Sequence, residues 1–267
     1  MMGARAATWA WLASAAVAAC LAVSCSDGGG EPTAGGGAAA PEPVPELESG
    51  IALAFVYDTS GSMGESVANG KGGQSPKWEI ANRAFLEIVD RLEKFVATPP
   101  ADGPARLETT LIRFDAANTP KDAKAAVALP MAKFDAVAMR GWIRRFDKPQ
   151  GPTPLGDAVR LGGEAVLASK LVTKHVLVLT DGKNTHVPDP AQVLRTLRQQ
   201  ADRRQVAISA HFVAFDVDAE EFKGVRAEGA TLLAASDEAQ LRERMQYILE
   251  EKILLEVATP RPAGGGK

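Results

Sequence analysis

"FVYDTSGSMG", residues 55–64, decides the fold of this chain. An apolar run ends in an aspartate, and two serines follow, two residues apart. After a strand, Asp, Ser and Gly are ordinary turn residues, so the stretch reads either as a turn or as a site. Asp58 favours the site: a carboxylate at the end of an apolar strand, next to a sheet interior, needs hydrogen-bond donors or a cation.

"IALAFVYD" is a nearly continuous apolar run, as expected for a strand covered on both faces. "SPKWEIANRAFLEIVDRLEKFV" then repeats apolar residues at Trp78, Ala81, Phe85, Ile88 and Leu92, which predicts a helix with Ser75 as N-cap and Pro76 at its first position. A strand at "LETTLIRFD", a short edge strand at "AAVALP" and a helix near "MRGWIRRF" follow. The remaining pattern is a helix at "TPLGDAVRLGGEAVLAS", a buried strand at "HVLVLTDG", a helix at "PAQVLRTLRQQADRR" and a strand at "VAISAHFVAF". A helix from about Ala219, a strand at "ATLLAA" and the helix "DEAQLRERMQYILEEKI" close the domain, residues 50–258. Strands separated by helices predict an α/β domain with a mostly parallel sheet and helices on both faces. In such sheets ligands bind outside the carboxyl ends of the strands, where strand order reverses.

Composition supports a globular domain: 46% of the 267 residues are hydrophobic and 24% charged. A net charge of only -3 argues against nucleic acid as a partner. The first residues stand apart. Arg5 precedes the Ala-rich run "AATWAWLASAAVAACLAVSC", which resembles a bacterial lipoprotein signal peptide, so residues 1–24 are expected to be removed and Cys25 lipidated. Cys20, after "VAA", also fits. The run of roughly 19 residues is close to the ~20 that span a bilayer, which leaves an uncleaved anchor open. Residues 25–49, rich in Gly, Ala, Pro and Glu, read as a disordered tether, and 259–267 as a disordered tail. Ser26, directly after the cysteine, resembles the sorting pattern of outer-membrane lipoproteins, so an extracytoplasmic, outer-membrane location is expected over the inner membrane.

Two further segments reach the same end of the sheet. "QGPTPLGDAV" places Thr153 just before a helix, and "VLVLTDGKNTH" places Asp181 at the end of a buried strand. Alone, Thr153 is an ordinary helix entry and Asp181-Gly182 an ordinary turn. Together, Asp58-x-Ser60-x-Ser62, Thr153 and Asp181 resemble a von Willebrand factor A domain with a complete metal-ion-dependent adhesion site. The resemblance spans about residues 50–258. It implies a doubly wound sheet with one short antiparallel edge strand. It also implies an Mg²⁺ or Mn²⁺ ion touched by Ser60, Ser62 and Thr153, with Asp58 and Asp181 acting mostly through water. Hard divalent ions select such oxygen donors. A first shell of hydroxyls leaves the ion electrophilic, so the resemblance implies capture of a protein ligand through its Glu or Asp, with neither an enzymatic activity nor a small-molecule substrate.

Alternatives remain at this stage. The metal could serve structure or assembly. "SGSMG" differs from the nucleophile elbow G-x-S-x-G only at its first position, which would make Ser62 a hydrolase nucleophile, although this is the domain's first strand. "DTSGS" also approaches the Asp-Thr-Gly of aspartic proteases, but no second such motif is present. His175 and His211 fall in strands and read as satisfied core residues, whereas His186 lies in a loop near the site. Asp115 reads as a turn residue and "RGWIRRF" as a solvated helix face. The loop "ESVANGKGGQSPK" is longer than a plain connection needs, and its glycines and polarity predict a mobile segment beside the site. There Lys71 or Lys77, with His186, is expected to help select a partner.

Overall fold

Ten residues, Glu48–Tyr57, form the central strand β1, whose core segment is buried on both faces. Ile51, Leu53, Phe55 and Tyr57 enter one core, and Ala52, Ala54 and Val56 the other, as period-two geometry requires. Each fully buried large apolar side chain contributes about 1.5–3 kcal/mol, so this strand alone anchors both layers.

The computed structural model describes residues 47–98, 106–115 and 123–258. Cys20, Cys25, most of the expected tether and the tail 259–267 lie outside the described residues. After β1 come the hairpin strands β2 (Ser66–Ala68) and β3 (Gln74–Pro76), helix α1 (Lys77–Ala97), and strands β4 (Leu107–Asp115) and β5 (Lys124–Lys133). Then follow α2 (Ala136–Arg145), α3 (Leu155–Ala168), β6 (Leu171–Thr180), α4 (Pro190–Arg203) and β7 (Ile208–Phe215). The domain ends with α5 (Lys223–Ala227), β8 (Thr231–Ala235) and α6 (Glu238–Tyr247), which runs through a wide turn into α7 (Leu255–Ala258).

Six strands lie in the order β5-β4-β1-β6-β7-β8. All neighbours are parallel except β4 and β5. This is the expected α/β sheet with one antiparallel edge. The edge strand is longer than "AAVALP", because the ladder passes Pro130 at a register shift and resumes at Thr109↔Ala132; an edge strand tolerates the missing donor. Buried residues of α1, α2 and α6 pack on one face of the sheet, and those of α3, α4 and α5 on the other. On the second face a Cβ on Gly162 would stand 3.2 Å from Ala54 Cβ. Small residues on both elements thus let α3 press against β1.

Two expectations change. Ser75 is not the N-cap of α1: it pairs with Val67 in the β2–β3 hairpin and its hydroxyl accepts from Asn69 Nδ2 at 3.1 Å, leaving Pro76 at the cap. The stretch 65–77 is accordingly ordered, with Val67 buried, because local pairing satisfies its backbone.

His175 and His211 are in the core, as expected, but only half satisfied. His175 Nδ1 lies 3.1 Å from His211 Nε2, and the outer nitrogens of both rings are buried without a hydrogen-bond partner among the described residues. Glu256 stands 3.5 Å from His175 Nε2. Burial and the neighbouring His211 ring push the His175 pKa down to about 3, and burial and Lys252 push that of His211 down to about 4. The unfolded chain, with histidines near 6.5, therefore takes up protons first on acidification, and stability falls as pH drops below about 6.5 toward 4. Thermal denaturation at pH 7 and pH 5 should show a smaller loss of Tm for a His175→Leu, His211→Leu variant than for the parent; equal losses would exclude the pair as the source.

Candidate functional site

Strand order reverses around β1, since the chain goes to β4 on one side and returns to β6 on the other. The in-register pairing of β1 with β6 ends at Tyr57↔Leu179, and Asp58 N donates to Leu179 O at 3.0 Å. Asp58 and Asp181 thus emerge from adjacent strands at the same end of the sheet. Both are buried.

The Asp58 carboxylate is held by its surroundings. Ser60 N and Ser60 Oγ donate to its Oδ1 at 2.8 and 2.5 Å, and Thr180 Oγ1 donates to Oδ2 at 2.6 Å. From Ser60 the polar chain continues to Ser62 Oγ, 3.1 Å away, and Ser62 Oγ donates to Asp181 Oδ1 at 2.7 Å. Thr59, between these residues, points the other way: its hydroxyl donates to Phe114 O and accepts from Phe114 N, both at 3.1 Å, which pins the loop to β4.

Thr153 arrives on the loop before α3. Its N–H donates to Thr185 Oγ1 and its carbonyl accepts from Thr185 N, both at 2.9 Å. Gly156 lets α3 start against the 184–189 loop: its N–H donates to Asn184 Oδ1 at 3.2 Å, and a Cβ there would stand 1.8 Å from Pro188 O. Gly182 closes the arrangement. A Cβ on it would lie 3.2 Å from Thr153 Oγ1 and 3.7 Å from Ser62 Oγ, so its bare backbone leaves a cradle between the two hydroxyls. The structure therefore brings Asp58, Ser60, Ser62, Thr153 and Asp181 together. Among the described residues no group of three or more His, Cys, Asp or Glu side chains could hold a metal ion. A cation here would need the hydroxyls as ligands, and such an all-oxygen set fits a hard divalent ion.

Neither a family model nor a curated protein matches the sequence. Solved structures do. A D319A mutant of the PilB minor pilin from Streptococcus sanguinis superposes with a TM-score of 0.58 at 15% identity, covering 80% of this chain and 64% of the pilin. The vWF domain of the type V pili tip protein Mfa5 from Porphyromonas gingivalis gives 0.55 at 12% identity, over 82% of this chain and 99% of that domain. Proximal thread matrix protein 1 from the mussel byssus, with a zinc-occupied MIDAS motif, gives 0.52 at 22% identity, over 80% and 47%. The fold is von Willebrand factor A-like. The chain spans less than two thirds of the pilin and about half of the byssus protein.

Within this A-like fold the sequence missed several members of the site. Thr180 and Thr185 are bonded to Asp58 and Thr153 as described, and Glu65 and Asp216 meet around Lys77. Asp216 could have been found, because it follows the apolar strand "AHFVAF" just as Asp58 and Asp181 follow theirs. His186 is half-buried, with Nδ1 2.8 Å from Thr185 Oγ1. Lys71 is exposed in the hairpin turn.

Lys77 departs from expectation. Its side chain is 3% exposed and so is not available to an acidic surface; Nζ lies 2.9 Å from Glu65, 3.2 Å from Asp181 and 3.0 Å from Asp216. The reason is local: Lys77 opens α1 where the hairpin returns, and its N–H donates to Glu65 O at 2.8 Å, which turns the side chain inward. Burial alone would lower its pKa, but the bonds to Glu65, Asp216 and Asp181 outweigh it and hold the ammonium above the ordinary lysine range. Burial raises Asp181, with Ser62 and Lys77 opposing. Burial, then the Asp181 carboxylate, pushes Asp58 up to about 6 against its hydrogen bonds.

Removing one partner of a buried ion pair costs about 3–5 kcal/mol. Lys77→Met should therefore lower urea stability by that order in chelator, and excess Mg²⁺ should restore part of the loss by supplying the missing positive charge. Unchanged stability in chelator would show that the ammonium is not what balances Asp181.

Proposed function

We propose that this chain is a membrane-tethered, extracytoplasmic recognition domain that binds a protein partner through one Mg²⁺ or Mn²⁺ ion. The observation that carries the proposal is the convergence of three hydroxyls and two buried carboxylates at the strand-order reversal, around the cradle left by Gly182. Ser60, Ser62 and Thr153 would hold the ion directly, and Asp58 and Asp181 would hold it from behind. The bound ion supplies an electrophilic centre for a carboxylate. Because hydroxyls neutralise little of its charge, the ligand it lacks is an anion, and a partner's Glu or Asp is the oxygen donor best suited to a hard ion.

A purely structural metal is less well supported, since the protein already ties these loops together through the Lys77 ammonium and the Thr153–Thr185 pair. The hydrolase alternative also loses ground: the Ser62 hydroxyl bonds Asp181 and Ser60, not a histidine. Pilins and a pilus tip protein among the structural neighbours accord with a recognition role.

Calorimetry should show one Mg²⁺ or Mn²⁺ per chain, abolished by Asp58→Ala with the circular dichroism unchanged. Metal ligands must be deprotonated, so affinity should fall as pH is lowered through about 6, where Asp58 takes up its proton. No binding at millimolar metal would refute the proposal. A pull-down from membrane extract should then recover the partner only without chelator.

The tether is proposed to end in a lipid on Cys25. No helix among the described residues is long and apolar enough to cross a membrane. Cys25→Ser should abolish lipid labelling and release the protein or leave an unprocessed precursor. Persistent labelling would move the lipid to Cys20, and full membrane retention without lipid would point to an uncleaved span.

A further inference from the structure

The sequence assigns "RGWIRRF" to a solvated helix face, and part of it is so. Arg140 pairs with Asp90 and Glu93, and Arg144 is exposed. The rest of the segment does something different. Trp142 and Phe146 stack at 5.7 Å with planes 3° apart, and both meet Tyr57 edge-on at 5.7 Å. Tyr57 is itself locked: its hydroxyl donates to Asn82 Oδ1 at 2.7 Å, and Asn82 Nδ2 donates to the carbonyls of Ile143 and Phe146. The residue before the metal-loop aspartate thus braces a rigid aromatic wall.

That wall borders a cavity of about 260 Å³, whose floor includes Thr59 and Phe114. Arg113, Arg145 and Lys148 also line it, and no carboxylate does so among the described residues. Arg113 comes from β4, where it donates to Phe114 O at 3.0 Å. Arg145 closes α2, where its guanidinium lies alongside Gly141. Arg145 and Lys148 are exposed and have no ion-pair partner among the described residues. Arg145 and Lys148, from the end of α2 and the residues just after it, therefore face one aromatic-walled depression.

The cavity is joined to the metal-site loops by backbone bonds. Gln150 N donates to Thr59 O at 2.9 Å and Gly61 N to Gly151 O at 3.0 Å, so the segment that leaves the cavity at Gln150 reaches Thr153 three residues later. A partner seated at the site would pass its neighbouring residues over this depression.

We infer that the cavity between β4 and the end of α2 is a second recognition pocket, which takes an acidic side chain of the protein partner next to an apolar one. The aromatic wall receives the apolar body, and Arg145 and Lys148 receive the carboxylate as charge-assisted donors. The cations disfavour a basic residue in place of the acidic one. The inference rests on the protein-binding role proposed above for its partner, but it does not need the ion.

The test is therefore run on the full chain in chelator, so that failure of the metal site and failure of the pocket are separate results. The probes are N-acetyl-Phe-Glu-amide and its neutral isostere N-acetyl-Phe-Gln-amide, titrated while the Trp142 indole N–H signal is followed by nuclear magnetic resonance. The Glu peptide should shift that signal and bind at least about tenfold more tightly than the Gln peptide, since hydrogen bonds to charged groups are roughly twice as strong as neutral ones. Arg145→Ala with Lys148→Ala, both exposed and so compatible with folding, should reduce the Glu peptide to the level of the Gln peptide. Raised salt should do the same. Equal binding of the two peptides, no shift of Trp142, no binding at all, or unchanged binding to the double variant would each overturn the inference.

Discussion

The repulsion between two carboxylates buried at the ends of neighbouring strands is the constraint on which the rest of this molecule is arranged. Parallel pairing of β1 with β6 leaves Asp58 and Asp181 no means of separating. Each is removed from water, which favours the neutral acid, and each raises the cost of ionising the other. The protein answers the two differently. Asp181 receives an ammonium, Lys77, whereas Asp58 receives only neutral donors: Ser60, Thr180 and backbone N–H groups. That asymmetry leaves Asp58 with no positive partner among the described residues, beside the Ser60 and Ser62 hydroxyls.

The scaffold supplies what this arrangement needs. Loops after β1 and β6, and before α3, must meet within hydrogen-bonding distance, and each is fixed by a specific bond. Thr59 is tied to Phe114, Thr153 to Thr185, and Asn184 to Gly156. The close approach of α3 to β1 across Gly162 and Ala54 brings the Thr153 loop to the sheet's end. The β2–β3 hairpin, a detour by sequence length, returns the chain so that Lys77 faces inward at the start of α1. Removing that detour would therefore alter the charge balance of the site as well as its rim.

Ser62 donates to the Asp181 carboxylate, whose charge Lys77 shares. The structural neighbours include a minor pilin, a pilus tip protein and a byssus matrix protein, at identities of 12–22%, so what they share with this chain is the fold. What sets this chain apart lies in the ground around its five polar residues. Here that ground is the aromatic wall beside Tyr57, the cations near it, and the exposed turn carrying Lys71.

Periodicity was enough to read the strands and helices, because these depend on local pattern, alternating burial and helical spacing; the five polar residues were grouped by their resemblance to the A-domain motif. That Asp58, Thr153 and Asp181 face one end of the sheet follows from where the apolar strands stop and the helix begins. Which neighbours they have depends on contacts between segments far apart in the chain. Lys77 looks like any exposed lysine at a helix start until the hairpin turns it into the interior, and Ser75 looks like a helix cap until strand pairing claims it. Asp216 reaches the site across a long sequence separation, and the His175–His211 pair forms because β6 and β7 adopt one register and not the next. Pairing of this kind depends on which surfaces are pressed together, and that is settled by the packing of the two cores on β1 and not by any stretch of chain alone.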